Sequence, residues 1–147
     1  MADTYVPMIS SGVAGPLGVL HLPRLWLKVS LESQGKLAPG YPGIGRGFDA
    51  MTCATLALEE QAVKDYIKQN KPTYPEFETW VKNNAKSLNR VAIEKHNAAV
   101  RGYIHDDDTR TNVLGACDMA DDASAPKDAV NLNNLDDWYE FHQVVLK

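Results

Sequence analysis

Four histidines, His21, His96, His105 and His142, are the side chains in this sequence best suited to moving protons near neutral pH. His96 sits beside Asn97 in the stretch SLNRVAIEKHNAAVRGYIHDDDTR. Ile93, Asn97 and Val100 are spaced i, i+4, i+7, and His96 lies three after Ile93 and four before Val100. Both polar residues therefore border the apolar stripe of a helix. A buried amide or imidazole without partners costs about 1–3 kcal/mol. The pair is either satisfied core structure that fixes a neighbouring loop, or the floor of a pocket in which His96 is an acid or base. His142 repeats the pattern, four after Trp138 and three before Val145. If its helix packs on the long one, His96 and His142 face a shared cavity, with Tyr103 and Tyr139 supplying hydroxyls. Otherwise His142 is a partly buried histidine favoured by the dipole at a helix end.

Asp49 follows a Gly-rich turn, GYPGIGRGFD, and has the position of an N-cap. Its carboxylate either satisfies backbone N–H groups there, or it orients a histidine or takes a substrate proton. Backbone N–H groups ahead of a helix bind anions, and Arg46 makes this turn the best place for a carboxylate or phosphate. No strand precedes it and no Gly-Lys-Ser/Thr follows, so the dinucleotide and P-loop fingerprints do not apply, and a plain turn is preferred. His21, Arg24 and Lys28 are spaced by three and four. Lys28 is expected on a solvated face. His21 and Arg24, among Leu20, Leu22 and Leu25, are expected to be partly buried, with Arg24 pairing with a carboxylate or clamping an anionic ligand. His105 precedes Asp106, Asp107 and Asp108. Adjacent residues rarely converge on one ion, so no metal site is assigned.

Helical spacing recurs along the chain and strand alternation is nearly absent, which predicts an all-α fold of about six or seven short helices in an orthogonal bundle. Residues 1–15 read as an irregular arm and 16–147 as one helical domain, with a small two-stranded piece left open near residues 5–20. The first helix starts near Pro23 and stops at Gly35, burying Leu22, Leu25, Trp26 and Val29. Helices are predicted over residues 50–58 and 59–69, and from a Thr73 or Tyr74 cap opened by Pro75. The long helix begins at Ser87 or Asn89 and ends near Tyr103. A short one follows the acidic triplet, which suits the positive end of its dipole. DMADDASAPKDAVNLNN reads as a polar connection, with a last helix after Asn134 carrying Leu135, Trp138, Tyr139, His142 and Val145 on one stripe.

A chain of 147 residues makes one domain that buries roughly two-thirds of its unfolded surface without disulfides or metals. Its apolar content of 44% excludes wholesale disorder. A net charge of −4 gives no electrostatic reason to expect nucleic acid or anionic membrane as a partner. Two cysteines, Cys53 and Cys117, lack metal spacing and read as small buried residues in a reducing compartment. The N-terminus has no basic start followed by an apolar run, and the apolar stretch 13–31 is interrupted by His21, Pro23, Arg24 and Lys28. Neither a signal peptide nor a membrane span is expected, and the expected location is cytoplasmic.

The segments GVLHLPRLWLKVSLESQGKL, the turn ending GRGFD, and FETWVKNNAKSLNRVAIEKHNAAVRGY come in an order that resembles a family of bacterial proteins catalogued as a domain of unknown function, family 5069. The resemblance rests most on HLPRLWLK, on the loop ending at Phe48 and Asp49, and on Asn97, and it covers roughly residues 16–115. It implies a small, soluble, helical bacterial protein and carries over no reaction and no catalytic role. Members often lack a histidine beside the helix asparagine, so His96 is either a local departure with its own purpose or a neutral substitution. The residues themselves give two functional expectations. The first is a small-molecule enzyme of the lyase, isomerase or hydrolase type, using acid–base chemistry without a cofactor. In it His96 or His142 moves a proton, Tyr103, Asp49 or Asn97 assists, and Arg46, Arg24, His21 and His105 bind a small, in one version anionic, substrate. The second is a non-catalytic ligand-binding or protein-interaction module with structural histidines, in which exposed aromatics near Tyr41 and Tyr74 meet a partner. A homodimer is compatible with either.

Overall fold

The computed structural model describes residues 3–147. Its elements are α1 (Leu22–Ser33), α2 (Phe48–Thr55), α3 (Glu60–Asn70), α4 (Tyr74–Asn84), α5 (Arg90–Gly102), α6 (Asp107–Ala116) and α7 (Ala129–Phe141), closed by a π-helical turn, His142–Leu146. The fold is all-α. Among the described residues the only β-type pairings are two isolated bridges, Tyr5 with Leu37 and Ile104 with Asp128.

The helix starts follow local chemistry. Pro23 opens α1, where a missing N–H is harmless. Thr73 and Glu76 form a reciprocal capping box at α4. Asn89, Asp106 and Asp128 cap α5, α6 and α7 by accepting from the N–H groups of Ala92, Thr109 and Asn131. Asp128 accounts for the largest difference from the sequence reading, because α7 begins at Ala129 and not after Asn134. Asparagines weaken a helix, and NLNN therefore reads as loop. The cap together with burial of Ala129 and Leu132 outweighs that weakness.

The longer α7 also presents a different face. Leu132 and Asp137 are buried, whereas Trp138 and Val145 are more than half exposed and His142 is exposed. Of the predicted stripe, Leu135 is partly buried and packs, while Trp138, His142 and Val145 point to solvent.

Two apolar clusters hold the helices. The main one joins Leu22, Leu25 and Val29 of α1 to Cys53 of α2, Val63 and Ile67 of α3, Phe77 and Val81 of α4, and Ile93 of α5. Burial of each such side chain contributes about 1.5–3 kcal/mol. The second is small: Leu114 of α6, Ala125 of the α6–α7 connection and Leu132 of α7, with Val113, Met119 and Leu135 against them. α6 packs on α7, and α7 returns to α5. Residues 3–15 hold no helix, yet Val6, Pro7 and Ser11 are buried, and Tyr5 pairs with Leu37 through backbone hydrogen bonds. The arm is thus part of the packed body.

Candidate functional site

The asparagine and histidine of the long helix hold the chain entering α1. Asn97 Oδ1 accepts from Leu20 N–H at 3.0 Å, and its Nδ2 donates to Gly18 C=O at 2.8 Å. His96 Nε2 donates to Leu20 C=O at 2.9 Å, and Nδ1 faces the Thr55 hydroxyl. Burial lowers the His96 pKa, opposed by that carbonyl, so the ring is neutral at pH 7. His142 lies elsewhere, exposed and touching only Gln143 through a weak hydrogen bond. The two rings share no cavity, which corrects the expectation of a joint acid–base site. His142 lies past the last residue of α7, in the closing turn, none of whose residues is buried.

The clamp presents His21, which sits at the N-cap of α1 with φ of 73°. A left-handed backbone at a non-glycine residue is strained. Three contacts hold it there. Its N–H donates to Val13 C=O, its Nδ1 accepts from the Ser11 hydroxyl at 2.9 Å, and its Nε2 donates to Asp49 Oδ1 at 2.5 Å. Burial lowers the His21 pKa, and the pull of Asp49 in the other direction does not overturn that. A neutral ring with the proton on Nε2 satisfies both partners.

Asp49 occupies the first turn of α2, and Gly47 is the N-cap, so the expected capping role is not found. The carboxylate instead accepts from His21, from Lys28 Nζ at 2.5 Å and from Gly45 N–H at 2.8 Å. Burial pushes its pKa up, but the hydrogen bond from His21 and the charge and hydrogen bond of Lys28 outweigh burial and hold it at about 2. Lys28 is 6% exposed and not on a solvated face. The loop before α2 is shaped by its own acids: Gly43 N–H donates to Glu32 and Gly45 N–H to Asp49. A Cβ at Gly43 would lie 2.4 Å from the Glu32 carboxylate. Two of the N–H groups that a phosphate would need are therefore taken.

Arg24 makes a second buried knot. It donates both guanidinium nitrogens to Asp137 at 2.6 and 3.1 Å, and to the Pro7 and Ile9 carbonyls. Tyr41 donates to the same carboxylate, and burial with that acid drives its pKa far up. Tyr74 likewise donates to Glu78. Neither tyrosine is a free exposed aromatic, in contrast to the module reading. The knot joins the arm, α1 and α7, and so bridges the two apolar clusters.

A cleft opens at the seam between those clusters. One hollow, of about 620 Å³, lies between α2, the α5–α6 connection and α7, lined by Arg46, Phe48, Met51, Ala54, Tyr103, His105, Ala129 and Asn133 among others. A second, of about 310 Å³, shares Arg46, Gly47, Phe48 and Asn133 with it and reaches His21, Lys28, Tyr41, Asp49, Asp136 and Asp137. Phe48 connects them physically, edge-on to His21 at 5.6 Å and to Tyr103 at 5.9 Å, and Tyr103 is in turn edge-on to His105 at 5.5 Å. Around the knots the polar groups are paired. In the first hollow, Arg46, Asn133, the Tyr103 hydroxyl and the His105 ring have no hydrogen-bond or ion-pair partner among the described residues.

The structure thus gathers Arg46, Tyr103 and His105 around one hollow and Asp49, His21 and Arg24 around its neighbour, and leaves His96, Asn97 and His142 out of both. Asn133, Asp136 and Asp137 were not singled out from the sequence. Their i, i+3, i+4 spacing on one helix face is a readable signal, broken in the sequence reading because Asn133 falls in the polar connection while Asp136 and Asp137 fall in the last helix. Lys28 was legible as one turn beyond Arg24. Next to His105, Asp106 caps α6 and Asp107 pairs with Arg110 at 2.8 Å. No group of three or more metal-type side chains gathers among the described residues.

Fold and cleft together define a small all-helical protein with a polar-rimmed seam between two apolar clusters. The chain belongs to the family described as Domain of unknown function (DUF5069), whose model matches residues 10–138. That match reaches past the region of likeness legible from motifs and takes in most of α7. No curated protein matches the chain. No helix is long and apolar enough to cross a membrane.

Proposed function

We propose that the protein binds a small anionic molecule in the seam cleft, with Arg46 on the anionic group, Asn133 and Tyr103 as hydrogen-bond partners, and the apolar body on Phe48, Met51, Ala54 and Ala129. The observation that carries this reading is a hollow with an apolar floor and convergent polar side chains that lack protein partners. These groups are open to solvent and free to meet a ligand, unlike the buried polar groups of the neighbouring knots, which are paired within the protein. The partner is a small molecule and not nucleic acid or membrane. A cytoplasmic setting goes with the proposal, since both cysteines are free thiols.

A second reading, a cofactor-free lyase, isomerase or hydrolase, is favoured by His105, whose ring faces the same hollow beside Tyr103. In it His105 moves the proton, in place of His96 or His142.

Calorimetric titration with 3-phenylpropanoate, a carboxylate with an apolar body, tests the binding. Arg46 is exposed and unpaired, so Arg46→Gln leaves the melting temperature unchanged and weakens binding about tenfold or more. Undiminished binding by that variant, or no binding by the wild type, overturns the proposal. For the catalytic reading, a His105 ring whose NMR titration is unmoved by saturating 3-phenylpropanoate removes its proton-transfer role.

A further inference from the structure

The charges around the two joined hollows can be sorted by whether they are already committed. Lys28 is neutralised by Asp49, and Arg24 by Asp137 in a two-pronged pair. Two charged side chains are left over. Arg46 lines both hollows, and Asp136 lines the smaller one; neither makes an ion pair or hydrogen bond among the described residues, nor do they pair with each other. The cleft therefore offers one free cation and one free anion beside an apolar hollow. A simple carboxylate answers only the first.

Asp136 is half-buried beside Asp137, with Glu140 one turn along the same helix. Burial, followed by the charges of those two acids, raises its pKa. A cation placed against it would relieve that repulsion.

Resting on the binding reading above, we propose that the ligand is a zwitterion of the apolar α-amino-acid type: its carboxylate on Arg46, its ammonium on Asp136, and its side chain in the larger hollow. Asn133 lines both hollows and offers its amide to that head group. Asp136 fixes ligand class by accepting from the ammonium, an ion-paired hydrogen bond that neither a simple carboxylate nor an alcohol can make.

The test compares L-phenylalanine with 3-phenylpropanoate, which lacks the ammonium, and 2-phenylethylamine, which lacks the carboxylate, by calorimetry on the full chain. L-Phenylalanine is expected to bind about tenfold or more tighter than either analogue. Asp136→Asn, which breaks no internal bond, is expected to keep the wild-type melting temperature, to remove the preference over 3-phenylpropanoate and to leave 3-phenylpropanoate affinity undiminished. If wild type binds L-phenylalanine and 3-phenylpropanoate equally, or if Asp136→Asn keeps the preference, the ammonium site is wrong while the anion-binding cleft stands. If wild type binds none of the three, both proposals fall.

Discussion

Asp49 accepts three hydrogen bonds at once, from His21, Lys28 and Gly45, and this decides what a substitution there does. Asp49→Asn leaves a buried ammonium without its counter-charge. Breaking a buried pair from one side costs about 3–5 kcal/mol, and that loss is expected in urea unfolding of this variant. Lys28→Met removes the cation while His21 and Gly45 continue to satisfy the carboxylate, so it costs less. The double variant is expected to be no less stable than Asp49→Asn alone, with at least about 1 kcal/mol of coupling. Additive losses would show that the two side chains are not energetically paired. The Cys53 thiol, pushed up to about 12 chiefly by burial, is packing and not chemistry.

At the scale of elements, α5 acts as a clamp on the segment that leads into α1. Asn97 alone satisfies the Leu20 N–H and the Gly18 C=O. Asn97→Ala orphans both, and each unsatisfied buried group costs about 1–3 kcal/mol, reduced where water enters. The expected result is a loss of about 2 kcal/mol or more in denaturant, together with faster amide exchange at Leu20. Wild-type exchange at Leu20 in a destabilised variant would mean that the clamp is not what holds the loop. The polar pair on the long helix was legible in sequence as something that needed partners. Which partners, across a separation of 76 to 79 residues, was not. Side-chain periodicity reports which face is buried and is silent on what lies opposite.

At the scale of the molecule, the buried ionisable groups set a pH dependence with a definite sign. His21 and His96 have lowered folded-state pKa values, so between those values and the unfolded value near 6.5 the unfolded chain binds more protons. Stability is therefore full above about pH 6.5 and falls as the pH drops through that window. Asp49, held at about 2 against 3.8, adds a second loss between those limits, with the same sign. The urea midpoint is expected to fall from pH 7 to pH 5, and His96→Gln to flatten that slope; a midpoint constant over this range would refute the assignment. The sequence by itself determined the helical class, helix starts near Thr73, near Asn89 and at the acidic triplet 106–108, and the need of His96 and Asn97 for partners. These rest on local periodicity and on hydrogen bonds within one turn. Only tertiary structure decided that His142 points outward, that Lys28 and Asp49 neutralise each other, and that Arg46, Asn133 and Asp136 meet at one cleft. Each of those depends on how α1, α2 and α7 are juxtaposed, and a pairing between distant helices is a property of their packing that no local spacing encodes.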